Sequence, residues 1–179
     1  MLEKLKKKEF ATKVINAYDY EIKPCSHCNY ECFAKELRGI EEKCPIHDHG
    51  QWICERVKES NVTVLAVPTY GGNVSGLYKA WAEHGQAVFK DYQDLVQTIL
   101  KKVIALIVVV NIPAGGDLVY YTVISDHYEA KIARTAILLQ STEYGQSSLT
   151  GTLTQDKRVR DRLDNLNFIL RRWKRSREG

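Results

Sequence analysis

Four of the chain's five cysteines fall in one stretch, Cys25-Ser-His-Cys28-Asn-Tyr-Glu-Cys32, with Cys44-Pro-Ile-His47-Asp48-His49 after it. Thiolates at 25, 28 and 32 can converge on one point from a single turn of chain, and a loop can return Cys44 as a fourth ligand. Four thiolates suit a [4Fe–4S] cluster or a tetrahedral zinc ion. His47 or His49 could replace one thiolate around zinc. A zinc ribbon usually carries two C-x-x-C pairs, and this stretch has one. The remaining alternative is a set of reduced, partly buried thiols with no metal. Cys54 lies outside the group and reads as a core residue.

Two glycine-rich segments form the other candidate for chemistry. The first is Pro68-Thr69-Tyr70-Gly71-Gly72-Asn73, which runs on through Gly76 to Lys79. Its glycines permit tight turns and let main-chain N–H groups approach a flat ligand closely. Tyr70 can stack on or flank an aromatic ring, and Asn73 offers both a donor and an acceptor. The second is Asn111-Ile-Pro-Ala114-Gly115-Gly116-Asp117. Taken singly, each is also what an ordinary turn looks like. As two glycine turns after neighbouring strands, facing one crevice, they are more specific than either alone.

Those loops need strands to hang from. Val62–Val67, Val103–Val110 and Thr135–Leu139 are apolar and β-branched without alternation, the pattern of parallel strands covered on both faces. A weaker strand is expected at about Lys13–Ala17. Between them, Asp48 and Gln51 have capping-box spacing and open a helix through Val57. Leu77–His84 reads as a helix stopped by Gly85. Val88, Tyr92, Leu95, Val96, Ile99 and Leu100 recur at helical spacing. The stretch Leu118–Ile132 is β-rich in composition, yet topology calls for a crossover helix there. Val159, Leu163, Leu166 and Leu170 line a last helix, with Asp156 in its first turn. Alternating strands and helices imply a doubly wound α/β sheet with its ligand beyond the C-terminal strand ends.

Composition sets outer limits. Apolar residues are 44% and charged residues 27% of 179, a globular balance in a chain of single-domain size, 1–179. The longest apolar run falls far short of the roughly 20 residues of a membrane helix. No apolar segment opens the chain, so the expectation is a cytoplasmic protein without a secretion signal or membrane partner. In that compartment clustered cysteines point to metal or redox chemistry before disulfides. Net charge is +4, and the basic tail at 171–179 carries much of the excess. Nucleic acid is one reading of that tail. A solvated, frayed helix end is favoured, because no recognition motif accompanies the charge.

Together these residues resemble the iron–sulphur flavoprotein branch of the NADPH-dependent FMN reductase family. Ile22-Lys-Pro-Cys25-Ser-His-Cys28 is similar to its I-x-P-C-x-x-C motif, and Cys44-Pro-Ile-His-Asp48 to its C-x-I-x-D-D segment. Pro68–Asn73 resembles its P-x-Y-x-G/N flavin loop, with Lys79 at the lysine of the following helix. Gly115-Gly116 match the paired glycines of its second flavin loop, and Gly151–Arg160 resembles its closing segment and final helix. The resemblance implies FMN at the C-terminal edge of a flavodoxin-like, three-layer αβα sheet. Pro68, Thr69, Tyr70, Gly71, Gly72 and Asn73 would contact it, with Ala114, Gly115 and Gly116 on its other side. It further implies NAD(P)H as electron donor, a small-molecule or protein acceptor, and a dimer or tetramer that completes the flavin site across an interface. Cys25, Cys28, Cys32 and Cys44 would hold a [4Fe–4S] cluster, with zinc as the alternative. No acid–base side chain need be catalytic.

The chain also departs from that pattern. Its cysteines are spaced C-x2-C-x3-C-x11-C rather than as a compact cluster, and Glu83-His84 stands where the family has Asp-Arg. Leu2–Phe10 resembles the end of a first helix. The expectation is therefore a flavodoxin-like sheet lacking its first strand and phosphate loop, an interior strand in the order 2-1-3-4-5. A truncated chain or a strand exchanged between protomers would account for that. The rival expectation is a non-catalytic flavodoxin-like binding module that keeps a structural cysteine-ligated zinc and holds no flavin.

Overall fold

The computed structural model describes residues 10–26, 32, 44–111, 115–126, 136–147 and 150–178, the side chains of 86, 92 and 174–178 excepted. The sheet is built on Val103–Val110, a strand with no polar residue to turn toward water. Ile104, Leu106, Val108 and Val110 enter one core, and Val103, Ala105 and Ile107 enter another. Successive side chains of a strand point to opposite faces, so a run apolar throughout is satisfied only between two covering layers. This strand, β3, pairs in parallel with β1 (Val62–Tyr70) on one side and β4 (Ala136–Gln140) on the other. Val62 sits opposite Val103, and Leu106 opposite Ala136. A two-residue strand, β2 (Asn73–Val74), folds back antiparallel on Thr69–Tyr70, giving the order β2-β1-β3-β4.

Helices cover both faces. α1 (Gly50–Glu59), α2 (Gly76–Glu83) and α4 (Gly116–Asp126) bring Ile53, Cys54, Tyr78, Trp81, Val119 and Val123 against the even-numbered side of β3. The other face is closed by α5 (Lys157–Glu178) through Val159, Leu166 and Leu170. The result is the flavodoxin-like, three-layer αβα arrangement. Leu106 and Ala105 are fully buried on opposite faces. Truncating Leu106 to Ala is expected to cost about 2–5 kcal/mol, since a rigid strand cannot collapse into the cavity. No helix among the described residues is long and apolar enough to cross a membrane.

Local caps explain most boundaries. The Ser75 hydroxyl accepts from Tyr78 N at 3.1 Å to start α2, and Asp91 accepts from Asp94 N at 2.7 Å to start α3 (Tyr92–Leu100). α3 keeps its apolar stripe only half-covered, with Leu95, Val96 and Ile99 partly buried and Leu100 exposed. Its tie to α1 is the Lys58–Asp94 ion pair at 2.6 Å.

Several expectations are corrected. No strand forms at Lys13–Ala17: residues 10–16 join no ladder, and Ala17–Asp19 is a 3-10 turn. Val14 is 58% exposed and only Ile15 reaches the core, so the segment lacks a strand's alternation. Asn16 instead caps the turn, accepting from Tyr18 N and donating to Asp19. Among the described residues, β1 is paired on the edge away from β3 only at Thr69 and Tyr70. The capping box at Asp48 does not form either. α1 begins at Gly50, the Gln51 side chain turns to Glu55, and Asp48 is used elsewhere. The helix before Gly85 ends as expected, at Glu83 with His84 as its cap, and the chain continues through Gly85 as a 3-10 turn, His84–Val88. The basic tail continues the last helix, which runs to Glu178. The expected helix at 118–132 is α4 as far as Asp126, and 127–132 lie outside the described residues.

Candidate functional site

Because β1 and β3 run parallel with Pro68 opposite Val109, their C-terminal ends deliver two loops to the same edge. Gly71 (φ +56°) and Gly72 (φ +77°) are the central residues of the turn from β1 to β2. Positive φ at both is the hairpin geometry that favours glycine. Gly115 (φ +93°) ends the second loop and leads into α4. A Cβ on Gly115 would lie 2.2 Å from Gly72 Cα and 2.7 Å from its carbonyl oxygen. The two loops therefore touch backbone to backbone at the same edge of the sheet. On the outer side a Cβ at Gly71 would meet nothing within 4 Å. One face of this glycine junction is closed and the other is open to a flat group.

Pro68 and Thr69 are half-buried in the strand, and Tyr70 and Asn73 are exposed at its end. The Asn73 Oδ1 accepts from Val74 N at 2.9 Å, which leaves its amide N–H groups as the outward polar feature. Gly116 is backed by Leu138 and Val110, so α4 starts tight against the sheet. Ala114 lies outside the described residues. Lys79 pairs with Asp126 at 3.3 Å and pins α2 to the end of α4.

One residue of this edge escaped the sequence reading. The Tyr18 hydroxyl lies 2.8 Å from that of Tyr70. That bond holds the Tyr18 phenol protonated and raises its pKa above the ordinary tyrosine value. The only local signal for Tyr18 is the Asn-Ala-Tyr-Asp turn, which directly follows the expected strand at about Lys13–Ala17.

The cysteines behave differently. Cys25, Cys32 and Cys44 are half-buried and in no disulfide, while Cys28 lies outside the described residues. Among the described residues no three of His, Cys, Asp and Glu gather closely enough to hold a metal ion. The two ends of the segment are tied together. Lys23 N and Gly50 N donate to the Asp48 carboxylate at 2.6 and 2.8 Å. His84 Nε2 donates to the Lys23 carbonyl at 2.9 Å and lies 3.4 Å from Asp48. Glu83 accepts from Cys25 N at 2.7 Å, and His49 N donates to the Glu21 carbonyl at 3.0 Å. The side chains of Asp48 and His84 are 0% and 1% exposed. A buried carboxylate is tolerable there because the N–H groups of Lys23 and Gly50 satisfy it. Gly50 is required beside them, since a Cβ would stand 2.5 Å from the His84 ring. His47 and His49 are exposed, and His49 stacks with Tyr20 at 5.3 Å. Cys54 is core, as expected: burial pushes its thiol up to about 12.

The glycine junction fits a flavin. It offers backbone amides, an open face at Gly71 and an exposed phenol, and among the described residues of this edge there is no nucleophile–base pair. The model of the NADPH-dependent FMN reductase family matches residues 1–131. Two iron–sulfur flavoproteins of Archaeoglobus fulgidus are 35% identical over 77 residues and 34% identical over 92 residues. Those stretches cover 43% and 51% of this chain, and 34% and 44% of the relatives. An iron–sulfur flavoprotein of Methanocaldococcus jannaschii is 38% identical over 68 residues, 38% of this chain and 32% of that protein. The matched stretches thus span less than half the length of these relatives.

Proposed function

Since the chain belongs to the NADPH-dependent FMN reductase family, we propose that it is an FMN-binding oxidoreductase or electron-transfer flavoprotein that takes its electrons from NAD(P)H. The observation that carries this reading is the backbone contact between Gly72 and Gly115 beneath an open edge flanked by Tyr70. Bound FMN supplies the hydride and single-electron chemistry. The chain's part is to bind and orient. Backbone amides of the 71–73 turn and of Gly115 and Gly116 would hold the flavin, with Tyr70 as the aromatic side chain beside it. Pro68 and Thr69 fix the loop to the sheet. No side chain at this edge needs to donate or remove a proton.

The same reading assigns Cys25, Cys28, Cys32 and Cys44 to a metal–thiolate centre, an iron–sulphur cluster before zinc. Four thiols within one segment, ends tied together by Asp48, Glu83 and His84, and the names of the relatives support it. Exposed Leu118 and Tyr121 on α4 are the apolar surface that a second protomer would cover. Light scattering should then report a dimer or tetramer.

The test is anaerobic purification, FMN titration, iron and zinc analysis, and NADPH and NADH oxidation assays. FMN uptake at micromolar concentration with NAD(P)H oxidation and bound iron supports the reading. A colourless protein that carries zinc and refuses FMN overturns it in favour of a binding module.

A further inference from the structure

Tyr18 and Tyr70 come from segments 52 residues apart, and both are exposed, at 64% and 56%. Their hydroxyls are nonetheless 2.8 Å apart. An exposed hydrogen bond between two phenols adds little to folding stability, because water replaces it readily. Leaving two large rings in water at the mouth of a binding edge is also unfavourable unless something covers them.

The backbone around Tyr18 is held although its ring is exposed. Tyr20 packs on His49 and Trp52 with ring centroids 5.3 and 5.4 Å apart. Ile15 and Ile22 reach the core. Asn16 bridges the turn to Asp19 at 3.0 Å. Tyr70, by contrast, ends its strand and is followed by two glycines, which give its ring no side chain to lean on. The bond to Tyr18 is the polar contact that its phenol makes among the described residues.

Resting on the flavin reading, we propose that Tyr18 is a positioning residue of the flavin site. Its hydroxyl fixes the Tyr70 phenol at the mouth of the Gly71–Gly72 and Gly115 junction, so that the incoming isoalloxazine meets an aromatic wall already in place. Binding then loses less side-chain freedom at Tyr70 than it would with an unrestrained ring.

The test compares wild type with Tyr18→Phe, Tyr70→Phe and the double variant. FMN affinity is read by fluorescence quenching, the bound flavin by visible circular dichroism, and the apo-protein by thermal melting. Each single variant is expected to weaken FMN binding roughly 2–10-fold. It should change the flavin's circular dichroism and leave the apo melting point where it was. The double variant is expected to be no weaker than either single one, as for two ends of one bond. Unchanged affinity and circular dichroism in Tyr18→Phe overturns the role of Tyr18 while the flavin reading stands. Losses that multiply in the double variant overturn it as well. Wild type that takes up no FMN overturns the flavin reading, and the role of Tyr18 with it.

Discussion

Residues 68–73 and 115–116 hang from adjacent parallel strands, whereas Cys25 and Cys44 sit near the two ends of a segment whose ends Asp48, His84 and Glu83 tie together. At the glycine edge, strand register does the positioning. Pro68 opposite Val109 leaves each loop a few residues of freedom before the backbones meet at Gly72 and Gly115. At the cysteine segment, Asp48, His84 and Glu83 hold the two ends together, and among the described residues no donor group converges. A site for a flat organic ring can be built by the fold alone. A thiolate site gains its final geometry from the ion it binds, because metal ligation and folding are coupled.

The comparison breaks most sharply at Gly115. Gly115→Ala puts a methyl 2.2 Å from Gly72 Cα, backbone against backbone, at a φ of +93°. Neither chain can yield cheaply, and the strain is expected to cost about 3 kcal/mol or more. FMN affinity should fall at least tenfold in parallel, read by urea unfolding and FMN titration. Gly71→Ala is the control. It meets nothing within 4 Å and pays only the left-handed backbone penalty, about 1–2 kcal/mol. Equal losses for the two variants would mean that conformation rather than loop contact shapes this edge.

That contrast also explains what was legible in the sequence. β3 was readable because a parallel strand buried on both faces has no polar residue to confuse the pattern, and β1 and β4 because their β-branched and aliphatic runs stay apolar through most of their length. The glycine turns were readable because positive φ favours one residue type. Tyr18 was not, because its role lies in a contact with Tyr70, and the residues before it mimic a weak strand. Asp48 suggested a helix cap paired with Gln51, but its carboxylate takes the N–H of Gly50 nearby and that of Lys23, far away in sequence, and lies beside His84. The stripe on α3 was legible as a helix but not as one left half-covered. Cys28 and Ala114 lie outside the described residues.

Next in size is a control on α1, whose start carries one end of the cysteine tie. Lys102 is 4% exposed and donates to the carbonyls of Val57 and Ser60 at the other end of that helix. Burial, and to a lesser extent the Lys58 charge, pushes its ammonium down to about 8. The folded protein thus releases this proton before the unfolded chain does. Between pH 8 and about 10.5 the unfolded chain binds more protons, so stability due to this group rises with pH in that window. Below pH 8 both states are protonated and the penalty is present in full. In urea unfolding at pH 7, 8.5 and 10, wild type should gain up to about 3 kcal/mol relative to Lys102→Met as pH rises. A flat difference would mean that the two carbonyls offset the burial.

The smallest expected effect tests the tie itself. Glu83 is exposed, and its carboxylate accepts from Cys25 N at 2.7 Å. Glu83→Gln keeps an acceptor but removes the charge, which should cost about 0.5–1 kcal/mol or less. Stability is therefore a poor readout, and thiol chemistry is a better one. In metal-free protein, the rate at which iodoacetamide labels Cys25 should rise a few-fold as its backbone is released. Cys54, buried and pushed up to about 12, serves as the unreactive internal reference. FMN affinity should stay at the wild-type value, because the glycine edge is positioned by strand register and not by this tie. A Glu83→Gln protein whose Cys25 labels at the wild-type rate would leave Asp48 and His84 as the whole of the tie. Loss of FMN affinity in the same variant would join the two regions into one site and end the contrast between them.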